Sequence, residues 1–147
     1  MGVYSRFKKD PDGLRKLVEL LESTPTSRRQ KMIDVGMVED SEYTEKALKY
    51  MLTFQDILSM PDSDLMEVLD ASPPKMIAFS VSKMDAQVHE RFIKCSPPLK
   101  MAEVRDCLDM EIGLREVGGA QLKLVTIARD QEKKGRISTK RIPLHAL

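Results

Sequence analysis

Prolines that closely follow serine or threonine divide this chain into short segments. They occur at Thr24-Pro25, Ser59-Met60-Pro61, Ser72-Pro73-Pro74 and Ser96-Pro97-Pro98. Proline is tolerated in the first turn of a helix, where its missing N–H costs nothing, and a preceding hydroxyl residue can cap the free amides there. We therefore predict that each site starts a helix capped by its serine or threonine, and that the helices are about three turns long.

Between these sites the apolar residues recur at helical spacing, first at Leu14, Leu17, Val18 and Leu21. Residues 74–84 are apolar around most of the helix circumference, which predicts a central core helix packed on several sides. Strand-like alternation is limited to residues 137–142, and no partner strand is evident. The predicted fold class is all-α.

Charge and hydropathy exclude several classes of function. The chain has 24 basic and 23 acidic residues among 147, so it lacks the positive bias that nucleic-acid binding requires. No apolar run approaches the roughly 18 residues that span a bilayer. We predict a cytoplasmic protein that is not membrane-inserted and has no nucleic-acid partner.

Catalytic and ligand-binding motifs are also absent from the sequence. Gly118-Gly119 has neither the spacing nor the preceding strand of a phosphate-binding loop. We predict no enzyme activity, no cofactor and no small-molecule substrate. The side chains that could ligate a metal stand at unrelated spacings, and no metal site is predicted from them: Cys95, Cys107, His89 and His145.

The predicted helix over residues 97–109 carries charges on the face away from its apolar stripe. Lys100, Glu103 and Asp106 are spaced three apart, so they form a compact ridge of mixed charge. Two interpretations remain open on this pattern. The ridge is either a solvated surface with weak ion pairs or a contact surface for a partner.

Several short motifs occur in an order and spacing typical of one family. Residues 51–58, Met-Leu-Thr-Phe-Gln-Asp-Ile-Leu, are similar to a Met-Phe-x-Phe hinge followed by a Glu-Asp-Leu-Leu helix. Residues 128–137 are similar to an Ala-Arg-x-Leu-Glu-Glu-x-Gly-Glu-Ile ending. With the motifs at 62–69, 90–93, 105–108 and 113–115, the chain resembles the C-terminal part of the flagellar motor switch protein FliG over residues 12–137.

The resemblance implies a fold and a division of the chain. The fold would be an armadillo-like right-handed superhelix of short helices. Residues 1–50 would form an armadillo-like unit and residues 51–54 a hinge. Residues 55–137 would form the C-terminal helical domain with a charged torque-type helix at 97–109. Residues 138–147 would be a tail.

The resemblance also implies a function without covalent chemistry. The chain would be a rotor and switch component at the cytoplasmic face of the flagellar basal body. Its charged helix would contact the cytoplasmic loop of a MotA-like stator to transmit torque. Other partners would be neighbouring FliG subunits and the other switch-ring proteins, and reorientation at the hinge would accompany switching.

Site residues carry over from the family only in part. Asp106 matches the first aspartate of a torque-helix pair, and Arg115 is the nearest candidate for the arginine that follows. The second aspartate is replaced by Cys107, an earlier arginine by Leu99 and a lysine by Ser82. Neighbouring lysines could substitute, so the stator-contact candidates are Lys83, Lys100, Asp106 and Arg115. The hinge candidates are Met51, Leu52, Thr53 and Phe54.

A second function stays open beside the motor role. The chain has neither the N-terminal domain nor the middle segment that the family uses for assembly into the switch ring. It is therefore either a part of a longer rotor protein or a diverged FliG-like helical adaptor that binds other proteins without generating torque.

Overall fold

A computed structural model describes residues 3–143, and within that range it contains ten α-helices and no strand. The all-α prediction is confirmed for these residues. In chain order the helices are α1 (Val3–Lys9), α2 (Gly13–Ser23), α3 (Thr26–Glu39), α4 (Ser41–Tyr50), α5 (Phe54–Ser59), α6 (Asp62–Asp70), α7 (Pro74–Val81), α8 (Ala86–Cys95), α9 (Pro98–Leu108) and α10 (Leu114–Lys133).

The hydroxyl residues before the prolines end helices, which corrects the predicted N-caps. Each hydroxyl donates to the carbonyl four residues earlier, as in Ser72 Oγ to Val68 O at 2.6 Å. The residue before a proline is kept out of the helical region, so the preceding helix stops at or just before it, and the hydroxyl near that end lies beside an orphan carbonyl. The other three bonds join Thr24 to Leu20, Ser59 to Gln55 and Ser96 to Phe92. Each helix that follows has a proline as its N-cap residue and therefore no side-chain cap.

Among the described residues, unit 1 consists of residues 3–52 together with residues 140–143. It contains helices α1 to α4. The apolar stripe predicted on α2 is its centre, since Leu14, Leu17, Val18 and Leu21 are each at most 4% exposed. Burying four aliphatic side chains of this size stabilises the unit by several kcal/mol, at about 1.5–3 kcal/mol each.

Unit 2 runs from Thr53 to Thr139 and contains helices α5 to α10. As predicted, α7 is its central helix, with the run from Ile77 to Val81 buried and with α9 and α10 packed against it. The helix ends at Val81, three residues earlier than predicted. His89 Nε2 lies 2.7 Å from Val81 O, so this half-buried histidine binds the end of α7.

The boundary between the units lies inside the predicted hinge. The sequence predicted an armadillo-like unit to residue 50 and a C-terminal domain from residue 55, and the structure divides the chain between Leu52 and Thr53. The chain passes from unit 2 back to unit 1 between Thr139 and Lys140, inside the segment predicted to be a tail.

Two adjacent glycines lie in an exposed part of α10. Gly118 and Gly119 are in the second turn, and a Cβ added at either would meet no other atom within 4 Å. Glycine in an exposed helix interior costs about 1 kcal/mol relative to alanine. We expect Gly118→Ala and Gly119→Ala each to raise the free energy of unfolding by about that amount in urea titrations followed by circular dichroism.

Gly135 provides the matched control for this prediction. It follows the C-terminus of α10 with φ at 74°, a left-handed conformation that favours glycine and disfavours residues with a side chain. Gly135→Ala should therefore destabilise the protein. The same sign of change at all three positions would contradict this explanation.

Candidate functional site

Helix α9 is held to the protein by a narrow face. Val104 is its buried residue, with no exposed surface, while Met101 and Leu108 of the predicted stripe are half-buried. The helix packs on α7 and α8. Most of its circumference therefore faces solvent, including Glu103 and Asp106.

Asp106 and Arg115 are both exposed and unengaged. Asp106 lies in the last turn of α9, and Arg115 lies in the first turn of α10. Among residues 3–143 neither side chain forms a hydrogen bond or an ion pair. Both charges therefore remain available to a partner without the cost of breaking an internal interaction.

The ion pair between α9 and α8 is weak. Arg105 Nη1 lies 3.9 Å from Glu90 Oε1 on α8, and the two side chains are 58% and 71% exposed. A pair of this exposure contributes less than about 1 kcal/mol. It leaves both charges able to exchange partners.

Cys107 does not replace the missing carboxylate of the family pattern. Burial raises the pKa of its thiol, and the carboxylates of Glu103 and Asp106 raise it further, although Lys75 opposes them. A thiol whose pKa is raised from its ordinary value keeps its proton at physiological pH. The ridge on α9 therefore carries one negative charge fewer than the family pattern would give it.

The ammonium group of Lys100 forms hydrogen bonds within unit 2. It donates to the carbonyl oxygens of Asp70 at 2.6 Å, Ser72 at 2.9 Å and Leu69 at 3.3 Å. These groups lie at and just beyond the C-terminus of α6. A cation there satisfies orphan carbonyls and complements the helix dipole. All three N–H donors are used, which favours a capping role over a partner contact.

Substituting this lysine tests the capping role. We expect Lys100→Met to lower the free energy of unfolding by about 2 kcal/mol, because three carbonyls lose a charge-assisted donor at a partly exposed site. Lys83→Met is the control: Lys83 is exposed in the turn between α7 and α8, so its loss should change stability by less than about 0.5 kcal/mol. Equal effects in urea titrations would contradict the assignment.

The four hinge candidates are bound by groups of the unit to which each belongs. In unit 1 the buried Glu22 accepts the N–H of Leu52 at 2.7 Å. In unit 2 Thr53 caps α5, and its own N–H donates to Asp56 Oδ2 at 2.9 Å. The neighbouring candidates are Met51, half-buried in unit 1, and Phe54, whose ring centroid lies 6.3 Å from that of Phe92 in unit 2.

Sequence reasoning missed the role of Arg91. Its guanidinium group on α8 donates to Leu58 O at 2.7 Å and to Met60 O at 2.6 Å, and its Nε donates to Asp62 at 3.0 Å. It therefore joins the end of α5 to the start of α6. The family motif at residues 90–93 includes Arg91 and marked it as notable. The sequence could not show why, because Arg91 binds carbonyls about 30 residues away in sequence.

The part of the chain that the structure describes has neither a cluster of metal ligands nor a membrane-spanning helix. Residues 3–143 contain no group of three or more metal-ligating side chains, and His145 lies outside this range. Cys95 is buried and Cys107 is partly exposed. None of the described helices is long and apolar enough to cross a membrane.

Comparison with known proteins supports the same fold. The crystal structures of two fragments of FliG from H. pylori match with TM-scores of 0.63 and 0.58, both at 17% identity over 86% of this chain. They are covered over 60% and 56% of their own lengths. Full-length FliG from Aquifex aeolicus matches with a TM-score of 0.53 and 20% identity, over 86% of this chain and 40% of that one. No curated protein sequence matches the chain.

Together these features define a protein that is helical and armadillo-like over its described residues, with an exposed, charged face on α9. A family model described as the FliG C-terminal domain matches residues 37–139. The chain belongs to the FliG C-terminal domain family. It spans at most about 60% of the length of these solved FliG structures.

Proposed function

We propose that this chain is a non-enzymatic rotor and switch module of the bacterial flagellar motor, acting at the cytoplasmic face of the basal body. The observation that carries the proposal is the pair of exposed, unengaged charges of Asp106 and Arg115. Contacts at exposed charges form and break quickly and are steered by electrostatics. A rotor that passes successive stators needs contacts of this kind.

The stator contact is proposed to involve the exposed charges of Asp106, Arg115 and Lys83. The partner would be an acidic and basic cytoplasmic loop of the stator. Lys100 would act indirectly, by fixing the end of α6 in the same unit. Residues 51–54 would reorient the two units during switching, and neighbouring FliG subunits and switch-ring proteins would be the other partners.

Affinity purification from the native cell tests the proposal. We expect the chain, tagged at Met1 and crosslinked before lysis, to recover stator and switch-ring proteins. The charge-reversed variant Asp106→Lys with Arg115→Glu should lose the stator and keep the switch-ring proteins. Recovery of the stator by both proteins in equal amounts would refute the assigned surface.

A FliG-like adaptor is the second candidate function. It is favoured by Leu99, which is 99% exposed on α9, and by Leu114, which is 78% exposed at the start of α10. Exposed leucines beside a reduced set of charges suit a more apolar partner than a stator loop. Normal flagellar rotation in a deletion strain, with other proteins recovered in the purification, would support this alternative.

A further inference from the structure

The chain crosses between the two units twice. It leaves unit 1 between Leu52 and Thr53, and it returns between Thr139 and Lys140. The sequence indicated a hinge at the first crossing and a plain tail after the second. A single crossing leaves two units free to reorient, whereas a second crossing limits that motion if it is anchored on both sides and short.

The second crossing is anchored in unit 2 by Asp64. This carboxylate, whose residue is 8% exposed in the first turn of α6, accepts three hydrogen bonds through Oδ2. The donors are Thr139 Oγ1 at 2.6 Å, Thr139 N at 3.2 Å and Ser138 N at 3.4 Å. Hydrogen bonds to a charged acceptor contribute about 1.5–3 kcal/mol each when well formed, so this end is fixed.

The same crossing is anchored in unit 1 by Ile142. Its side chain is 3% exposed within the core of that unit, and its carbonyl oxygen accepts a hydrogen bond from Arg15 Nη2 at 3.4 Å. Full burial of an isoleucine contributes about 1.5–3 kcal/mol. The core residues that surround it are Tyr4, Leu14, Leu17, Val18, Leu21 and Ala47.

The backbone between the anchors is short and strained. Three residue steps separate Thr139 from Ile142, and even fully extended they reach only roughly 10 Å. Lys140 lies between them in the left-handed region, with φ at 52°, which costs a residue with a side chain about 1–2 kcal/mol. Its ammonium group also donates to Met51 O at 3.4 Å, beside the first crossing. Strain of this kind persists only where the surroundings impose it.

We propose that residues 138–142 form a strap, a second and taut connection that limits how far the two units can reorient about residues 51–54. Large reorientation would require the strap to release Ile142 from unit 1 or Thr139 from Asp64. The proposal concerns the linkage itself, so it holds whether or not the chain serves a flagellar motor.

Lengthening the strap distinguishes its role in limiting reorientation from the contribution of Ile142 to the core of unit 1. Insertion of about eight glycine and serine residues between Thr139 and Lys140 keeps both anchors but adds roughly 15 Å of flexible reach. Spin labels at Glu45→Cys in unit 1 and Lys123→Cys in unit 2, both exposed positions, report the distance distribution. The native Cys95 and Cys107 are replaced by alanine and serine in every variant.

We expect the insertion to broaden the distance distribution about twofold, with the circular dichroism spectrum unchanged. The same insertion after Glu111, in an exposed loop within unit 2, should leave the width unchanged. Ile142→Ser should also broaden the distribution, whereas Arg141→Ser, an exposed neighbour, should not. An unchanged width after insertion at Thr139 would overturn the strap, whatever Ile142→Ser does.

Discussion

Cells that carry Asp106→Lys together with Arg115→Glu are expected to lose swimming motility while the protein stays folded. Both side chains are exposed and neither makes an internal hydrogen bond or ion pair within residues 3–143, so their reversal has little effect on stability. At a charged interface, however, like-charge contacts cost several kcal/mol. Swimming radius in soft agar and rotation of tethered cells measure the effect.

A matched control places the same charge changes elsewhere in unit 2. Glu67 on α6 and Lys123 on α10 are exposed, and Glu67→Lys with Lys123→Glu leaves the net charge as the test variant does. This control should swim normally. If both double variants swim alike, the effect does not depend on the surface that carries Asp106 and Arg115.

Arg91→Ala is expected to lower the free energy of unfolding by about 3 kcal/mol. The substitution removes charge-assisted donors from Leu58 O and Met60 O and frees the turn between α5 and α6. The bond to Asp62 adds little, because that carboxylate is 70% exposed. Urea titration followed by circular dichroism measures the change.

Arg105→Ala is the control for Arg91→Ala. Arg105 lies on α9 with a 58% exposed side chain and a 3.9 Å pair to Glu90, so its loss should cost less than about 0.5 kcal/mol. A similar loss of stability in the two variants would mean that the carbonyl contacts of Arg91 do not hold the turn.

The helices and their buried faces could be predicted because the spacing of apolar residues along a helix reflects which face is buried. The stripe on α2 and the apolar run of α7 both mark residues that the structure buries. Burial of this kind depends on spacing along one helix, so a single sequence contains the information. The predicted bounds of α9 differ from the observed ones by about one residue at each end, which is the usual uncertainty of helix termini.

The ends of the helices could not be predicted in the same way. The Ser-Pro pattern predicts that Ser72 and Ser96 cap the next helix, but their hydroxyls donate to carbonyls of the helix that precedes them. A Ser-Pro pair fits both arrangements, since it breaks one helix and starts another. The carbonyls beyond α6 are then bound by Lys100, which is about 30 residues away, and no local pattern encodes such a contact.

The candidate site remains a prediction, and the sequence could name its residues but not the contacts that they make. Asp106 and Arg115 are exposed on consecutive helices of the chain. Lys100 has the charge expected of a contact residue, but the structure directs its ammonium group inward. The anchoring of Ile142 in unit 1 had no signal beyond a weak apolar alternation, because it depends on core residues between Tyr4 and Ala47, far earlier in the chain.

Site-specific photocrosslinking in the native cell tests the stator contact most directly. A photoreactive amino acid replaces Asp106 in one strain, Arg115 in a second and Lys123, on the exposed face of α10, in a third. Stator adducts from positions 106 and 115, and none from 123, are the result we predict. Adducts from all three positions alike, or from 123 alone, would contradict the proposed surface.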